Sequence, residues 1–378
     1  MWHDLTSEQE LLRDTTSRYL ADKASLAKQR KMRDDPIGFE PDYWTGGAEL
    51  GWTMLLAREE DGGGSVSGRG LVDLTMLAYE FGKNAAPGPL VDCNVAVLAL
   101  GGQTGALQQK VLGELLTGQT IVSCCLGAAP WQMPGEASLV IRQDGDDVVI
   151  EGTVKPVESG AHAGYLLVTG ASEGGMTQVL VPVDAPGVTI KPLKGIDVSR
   201  RFAKVTFAGT RVPATALLGT FAGADAAVAR QVQHAAVILS AESVGAMDSA
   251  FDMTLDWTFN RYTFGRALAS YQALKHRMAD MKSWLEASHA ISDAAAEAVA
   301  DGADNAAEMA SAAKSYIGVQ GPELCQEGVQ LHGGIGVTYE HDLHFYLRRV
   351  TLNALLYGTP AEHRRMLAAL QIGQEKAA

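Results

Sequence analysis

The stretch Leu139-Val140-Ile141-Arg142-Gln143-Asp144-Gly145-Asp146-Asp147-Val148-Val149-Ile150 decides the fold. Two runs rich in β-branched residues flank a polar turn that contains glycine, so it reads as strand, turn, strand. Working outward, short Val/Ile/Leu-rich runs recur at Tyr165–Thr169, Val179–Val183, Val188–Ile190 and Ala203–Phe207, each bounded by Gly or Pro. No segment of helical length and period separates them. Residues 120–222 are therefore expected to form an antiparallel β domain rather than alternating strands and helices. The glycine fingerprint of a dinucleotide fold is also missing.

Helical grammar lies on both sides. In residues 1–119, Thr6 or Ser7 can cap a first helix, with Glu10 at capping-box spacing from Ser7. A further helix is expected over about Val72–Phe81, after a loop over Asp61–Gly70 that lacks the GK[ST] ending of a phosphate loop. Pro87-Gly88-Pro89 breaks the chain before the next helix. In residues 223–378, Val232, Leu239, Ala246 and Met253 sit seven apart along a stripe that runs from Ala224 to Phe259. Leu274, Met278, Met281 and Leu285 mark a second helix, and Ala303–Val319 a third. Long helices of this spacing suit a bundle.

The 378 residues are 47% apolar and 20% charged, with a formal charge of −13, which argues against a duplex nucleic-acid binder. The densest basic run, Lys28 to Arg33, reads as a solvated helix end. Cys93, Cys124, Cys125 and Cys325 show no CxxC spacing, so no metal site is expected, and so few cysteines suit a reducing compartment. Met1–Glu10 lacks the apolar core of a secretory signal, and no run approaches the ~18 apolar residues of a membrane span. A cytoplasmic protein is expected.

Four motifs sharpen the reading. Arg261-Tyr262-Thr263-Phe264-Gly265-Arg266, with Gln272 further on, resembles RxxFGxxxxxxQ, and Gln330-Leu331-His332-Gly333-Gly334-Ile335-Gly336 resembles QxxGGxG. Arg211-Val212-Pro213 followed by Leu217-Leu218-Gly219, and Leu356-Tyr357-Gly358-Thr359 in place of YEGT, complete the set. Their order resembles that of acyl-CoA dehydrogenases over nearly the whole chain. The resemblance implies an α+β, mainly α, fold: an N-terminal helical domain, a middle antiparallel β domain and a C-terminal four-helix bundle.

Its implied cofactor is FAD. Arg261 offers a planar fork of donors for phosphate oxygens. Gly333, Gly334 and Gly336 let backbone lie against a nucleotide, while Gln272 and Gln330 offer both donors and acceptors. By the resemblance, Arg261, Phe264, Gly265, Gln272, Gln330, His332 and the three glycines contact the ADP half, usually of FAD seated mainly in a neighbouring subunit. Thr359 has two readings: a cofactor contact, and a helix N-cap with Pro360 at N1 and Glu362 at N3.

The chemistry implied is α,β-dehydrogenation of an acyl-CoA, which needs a base for the α-proton, and the family uses a carboxylate. One family position holds Tyr357, a poor base at neutral pH; the other, 26 residues before Arg261, holds Ala235. Glu242 stands seven residues from Ala235, ~10 Å along a helix, and reads as a structural carboxylate rather than a replacement. The family's TEPxxGSD segment is replaced by Ser123-Cys124-Cys125-Leu126-Gly127-Ala128, and its K-W-I-T/S strand by Lys155-Pro156-Val157-Glu158-Ser159.

The adenosine-gripping features thus survive where the ring-seating and proton-taking ones do not. No catalytic residue is expected. The resemblance narrows to the base-lacking subunit of α2β2 bacterial dehydrogenases such as those of steroid side-chain degradation. Its implied partners are a second dehydrogenase-like subunit, an acyl-CoA substrate and an electron-transfer flavoprotein. A self-sufficient homotetrameric enzyme with an unrecognised base, and a scaffold that keeps the fold without activity, remain open.

Overall fold

The structure is a computed structural model that describes residues 5–132 and 135–377. The first four residues of the N-terminal stretch read above lie outside this set. Helix α1 (Ser7–Lys23) opens with Thr6 as its cap, and the reciprocal partner at N3 is Gln9 rather than Glu10. Thr6 and Gln9 have the same four-residue spacing that Ser7 and Glu10 offer one position later, which is why the sequence left both caps open. Helices α2 (Leu26–Lys31), α3 (Pro41–Glu49), α4 (Gly70–Lys83), α5 (Leu90–Leu100) and α6 (Ala106–Leu116) complete the first section. In the basic run at the end of α2, Lys31 and Arg33 are exposed as expected, while Arg30 is a fastener. Arg30 donates to the Glu340 carbonyl at 3.1 Å and lies 5.2 Å from the Phe345 ring.

The middle section is one seven-stranded sheet: β1 (Val122–Leu126), β2 (Leu139–Asp144), β3 (Asp147–Glu158), β4 (Tyr165–Ser172), β5 (Gly175–Pro182), β6 (Val188–Leu193) and β7 (Phe202–Pro213). Every strand expected from the sequence is present. The opening stretch is the β2–β3 hairpin, with Asp144 opposite Asp147. Pairing is mostly antiparallel, but β1 runs parallel to β4, with Val122 opposite Tyr165. Inward side chains such as Ile141, Ile150, Val168 and Phe207 build a core separate from the helical one.

The last section holds α7 (Asp225–Asn260), a hairpin of β8 (Tyr262–Thr263) and β9 (Arg266–Ala267), then α8 (Gln272–Ala300), α9 (Ala306–His332), α10 (Leu343–Leu355) and α11 (Pro360–Ala377). Val232, Leu239 and Ala246 of the seven-spaced stripe are buried. The bundle core is continuous with that of the first section, running from Leu77 and Phe81 through Ile238 and Met247 to Leu324 and Val350. At their crossing α4 and α7 meet backbone to backbone. A Cβ on Gly82 would lie 1.8 Å from the Glu242 carbonyl oxygen, and one on Gly245 2.0 Å from that of Tyr79. This crossing brings the N-terminus of α5, the edge of the sheet and the α10–α11 turn around one cavity.

Candidate active site and flavin-binding surface

The cavity measures about 290 Å³ and is lined by Asp92 of α5, Cys124 and Leu126 of β1, Pro156 and Glu158 of β3, and Tyr357 to Thr359 of the α10–α11 turn. Tyr357 stands at the family's base position and has φ +52°, a left-handed conformation that non-glycine residues seldom adopt. Its neighbours hold it there. Buried Lys314 donates to the carbonyls of Asn353 (2.8 Å), Ala354 (3.1 Å) and Gly358 (2.9 Å), capping the end of α10. His363 Nε2 donates to the Tyr357 carbonyl at 3.0 Å, and its Nδ1 accepts from Ser311 at 3.2 Å.

The Tyr357 hydroxyl donates to Asp92 Oδ1 at 2.7 Å, and Oδ2 of the same carboxyl accepts from the Cys124 backbone N–H at 2.9 Å. Asp92 is buried and makes no ion pair among the described residues, Arg200 acting on it only from behind Glu158. Burial, with the nearby Glu158 charge adding to it, pushes its pKa up to about 7, while the Tyr357 and Cys124 hydrogen bonds pull it down. Sequence reasoning missed this residue. The available signal was an acid as the one charged residue of the run Leu90–Leu100, whose other residues are apolar save Asn94.

The back wall is a buried ion network. Glu158, where the family's ring-contacting hydroxyl would stand, is ion-paired with Arg200, whose NH1 also donates to Asn353 at 2.8 Å. Arg349 reaches Asp197 (2.7 Å) and Glu242 (2.6 Å). Glu242 is thereby a structural carboxylate held by Arg349 and Asn353. Two guanidinium groups, Arg200 and Arg349, face four buried carboxyls, Asp92, Glu158, Asp197 and Glu242, so the last of the four to ionise does so only near neutral pH. Asp92, which has no ion pair, is the natural place for the proton. Ala235, at the other family base position, is fully buried in the helical core and does not line the cavity.

The flavin motifs occupy a different face. Phe264 (φ +54°) and Gly265 (φ +80°) form the two-residue turn of the β8–β9 hairpin, and the Phe264 ring is 93% exposed. A bulky residue held at positive φ with its ring in solvent is strained without any packing return. Arg261, Gln272, Gln330, Gly333 and Gly334 are exposed as well. Trp257 ties the two motifs together, lying 5.8 Å from the Arg261 guanidinium and stacked on His332 at 5.2 Å. His332 itself is turned inward: its ring is buried and Nδ1 bonds to the Gly328 carbonyl at 2.7 Å. Gly333 (φ +66°) and Gly334 have no atom within 4 Å of a built Cβ, whereas on Gly336 one would lie 2.5 Å from the Val329 carbonyl oxygen. Thr359 is the cap of α11: Glu362 N–H donates to its hydroxyl at 3.3 Å, and the Thr359 N–H and hydroxyl donate to Glu362 Oε2.

A cation, open glycines and an exposed ring on one ridge fit the diphosphate and adenosine of FAD. The cavity offers Pro156 and the Glu158–Arg200 pair where an isoalloxazine would need a flat face and a neutral donor. Among the described residues there is no group of His, Cys, Asp and Glu that could hold a metal, and no helix long and apolar enough to cross a membrane.

Helical sections before and after a seven-stranded sheet, with a cavity where the three parts meet, make up the arrangement of an acyl-CoA dehydrogenase fold. Comparisons agree: residues 6–119 match the N-terminal domain model of acyl-CoA dehydrogenases and residues 222–371 the C-terminal one. Acyl-CoA dehydrogenase IpdE2 of Mycolicibacterium smegmatis is 30% identical over 97% of this chain and 99% of its own. IpdE2 of Mycobacterium tuberculosis is 29% identical over 95% of this chain and 96% of its own. Among solved structures, a variant of the Tcur3481–Tcur3483 steroid ACAD superposes with a TM-score of 0.86 at 26% identity, covering 98% of this chain and 99% of that one. The chain belongs to the acyl-CoA dehydrogenase family, flavin-linked CH–CH oxidoreductases that depend on FAD.

Proposed function

We propose that this chain is a subunit of an acyl-CoA dehydrogenase that grips the ADP half of an FAD whose ring is seated mainly by a second, dehydrogenase-like subunit. The observation that carries this is the asymmetry between the two surfaces. Arg261, Phe264, Gln272, Gln330 and the Gly333–Gly334 backbone stand exposed and ready, while the ring position is taken by Pro156 and a buried ion pair. When bound, FAD supplies the acceptor for the β-hydride. Arg261 holds diphosphate oxygens, and the glycines give the backbone close approach. Phe259, Tyr262, Phe264 and Val337 leave apolar surface beside the ridge, which suits burial against a partner subunit. The steroid description of one solved relative makes a bulky cyclic acyl-CoA the substrate class to try first. An electron-transfer flavoprotein as acceptor and a cytoplasmic location complete the reading.

The experiment is Arg261→Ala in a complex co-expressed with a candidate partner. Losing a charge-assisted phosphate contact costs about 1.5–3 kcal/mol, so the dissociation constant for FAD should rise roughly 10- to 100-fold, with the assembly intact. Full flavin retention in the variant would sink the reading. A self-sufficient enzyme is the second reading, and Asp92 beside Tyr357 is the observation in its favour. Purified alone, such a chain would be yellow and would reduce an acceptor with acyl-CoA.

A further inference from the structure

We propose that Asp92, positioned by Tyr357, is a catalytic base of this chain's own cavity, taking the α-proton of an acyl thioester bound there. The inference goes beyond the shared-flavin reading and does not depend on which subunit seats the ring, because proton abstraction from the α-carbon is redox-neutral.

The geometry carries it. At one family base position the carboxylate is replaced by Tyr357, but the tyrosine hydroxyl reaches 2.7 Å to a carboxyl delivered from another helix. The acid has moved from the α10–α11 turn to the start of α5 while still facing the same space. Each Asp92 oxygen accepts one hydrogen bond, from Tyr357 or from the Cys124 N–H. A carboxylate oxygen has room for two, so a lone pair on each remains for a C–H proton. No cation ties the group down, in contrast to Glu158 and Glu242, which are held by Arg200 and Arg349. A carboxyl raised towards neutrality by burial is also the kind whose basicity suits proton transfer near neutral pH.

In the step the α C–H bond breaks, its proton passes to Asp92, and the electron pair moves into the enolate on the thioester oxygen. Return of a solvent proton from Asp92 closes the cycle with nothing oxidised. Tyr357 is a positioning residue: its O–H steadies the ionised carboxylate. The groups facing Asp92 are Tyr357 from the turn, Cys124 from β1, and Glu158 from β3 with Arg200 behind it.

The test uses (methylthio)acetyl-CoA, whose β-position is sulfur, so that only α-proton chemistry is available. Exchange of its α-protons in D2O is followed by NMR with the full chain and with the partner complex. Wild-type protein should exchange well above the buffer rate, and Asp92→Asn should lower the rate on the order of 10²- to 10⁴-fold. Tyr357→Phe should keep exchange but move the acid limb of the pH profile to higher pH, since the carboxylate loses a hydrogen bond that stabilises its charge. Exchange at the buffer rate in the wild type, or within about twofold of wild type in Asp92→Asn, overturns the proposal. An unmoved limb in Tyr357→Phe overturns the tyrosine's role, and that variant keeps the idea testable should Asp92→Asn fold poorly. Flavin content plays no part in this readout, so its failure is separable from failure of the shared-FAD reading.

Discussion

Asp92 titrates with a thermodynamic consequence that stability measurements can read. Burial raises its carboxyl from 3.8 to about 7 in the folded protein. Between those values the native state binds a proton that the unfolded chain has released, so stability falls as pH rises from about 4 to about 7. Asp92→Asn abolishes the titration. Three pH units correspond to on the order of 4 kcal/mol as an upper bound, so the variant should be more stable than wild type at pH 8 by up to that amount. The gain should shrink to about 0.5 kcal/mol or less at pH 4. Urea unfolding at the two pH values decides it, and a variant less stable at pH 8 would show that the bonds to Tyr357 and Cys124 outweigh the cost of burial. At this scale the sequence was legible where residues are near neighbours: Arg261, Phe264 and Gln272 fall in one short motif, and the structure leaves all three exposed. Asp92 and Tyr357 stand 265 residues apart, and no spacing rule links them. Only the fold makes them a pair.

The loop after α9 separates fold from cofactor at the scale of an element. Gly334 has no positive φ and nothing within 4 Å of a built Cβ, so Gly334→Ala should leave stability within about 0.5 kcal/mol. If FAD lies against this backbone, the same methyl group should reduce flavin retention in the complex. Gly336 differs, because its Cβ would press on the Val329 carbonyl oxygen at 2.5 Å, so Gly336→Ala should lower stability and flavin content together. Thermal unfolding and flavin-to-protein ratios, measured on both variants, separate the two effects. Unchanged flavin content in Gly334→Ala would remove this loop from the cofactor site. Most elements here could be read ahead of the structure, since the strands are Val/Ile/Leu-rich runs bounded by Gly and Pro and the long α7 stripe follows period seven. The misses have physical causes. β1 carries Ser123, Cys124 and Cys125, whose alternation hydropathy does not show. α9 continues to His332 through Pro322, well past the expected end near Val319, because Leu324, Cys325 and Leu331 bury against neighbouring helices and outweigh the lost backbone bond.

Arg349 is where the three parts of the molecule are joined. Its side chain is fully buried. It donates to the Ala85 and Ala86 carbonyls after α4 at 2.9 Å each, to Asp197 and Ser199 before β7 at 2.7 Å each, and to Glu242 of α7 at 2.6 Å. All three guanidinium nitrogens therefore donate, and each section of the chain depends on them for satisfying a buried acceptor. Arg349→Met keeps much of the volume but leaves Asp197 without its cation and Glu242 with Arg200 alone at 3.6 Å. Breaking one partner out of a buried ion network typically costs about 3–5 kcal/mol, and that is the loss expected in urea unfolding at pH 7. The sign of the pH dependence follows from Asp197, whose pKa is lowered in the fold by Arg349 and Ser199 against the pull of burial. Its contribution is present above the ordinary carboxyl range and fades as pH falls through the depressed value. The penalty of Arg349→Met should accordingly shrink in acid, where an unpaired Asp197 can take up a proton. A loss under about 1 kcal/mol at pH 7 would mean that shape alone, through contacts such as Gly82 on α7, holds the three sections together.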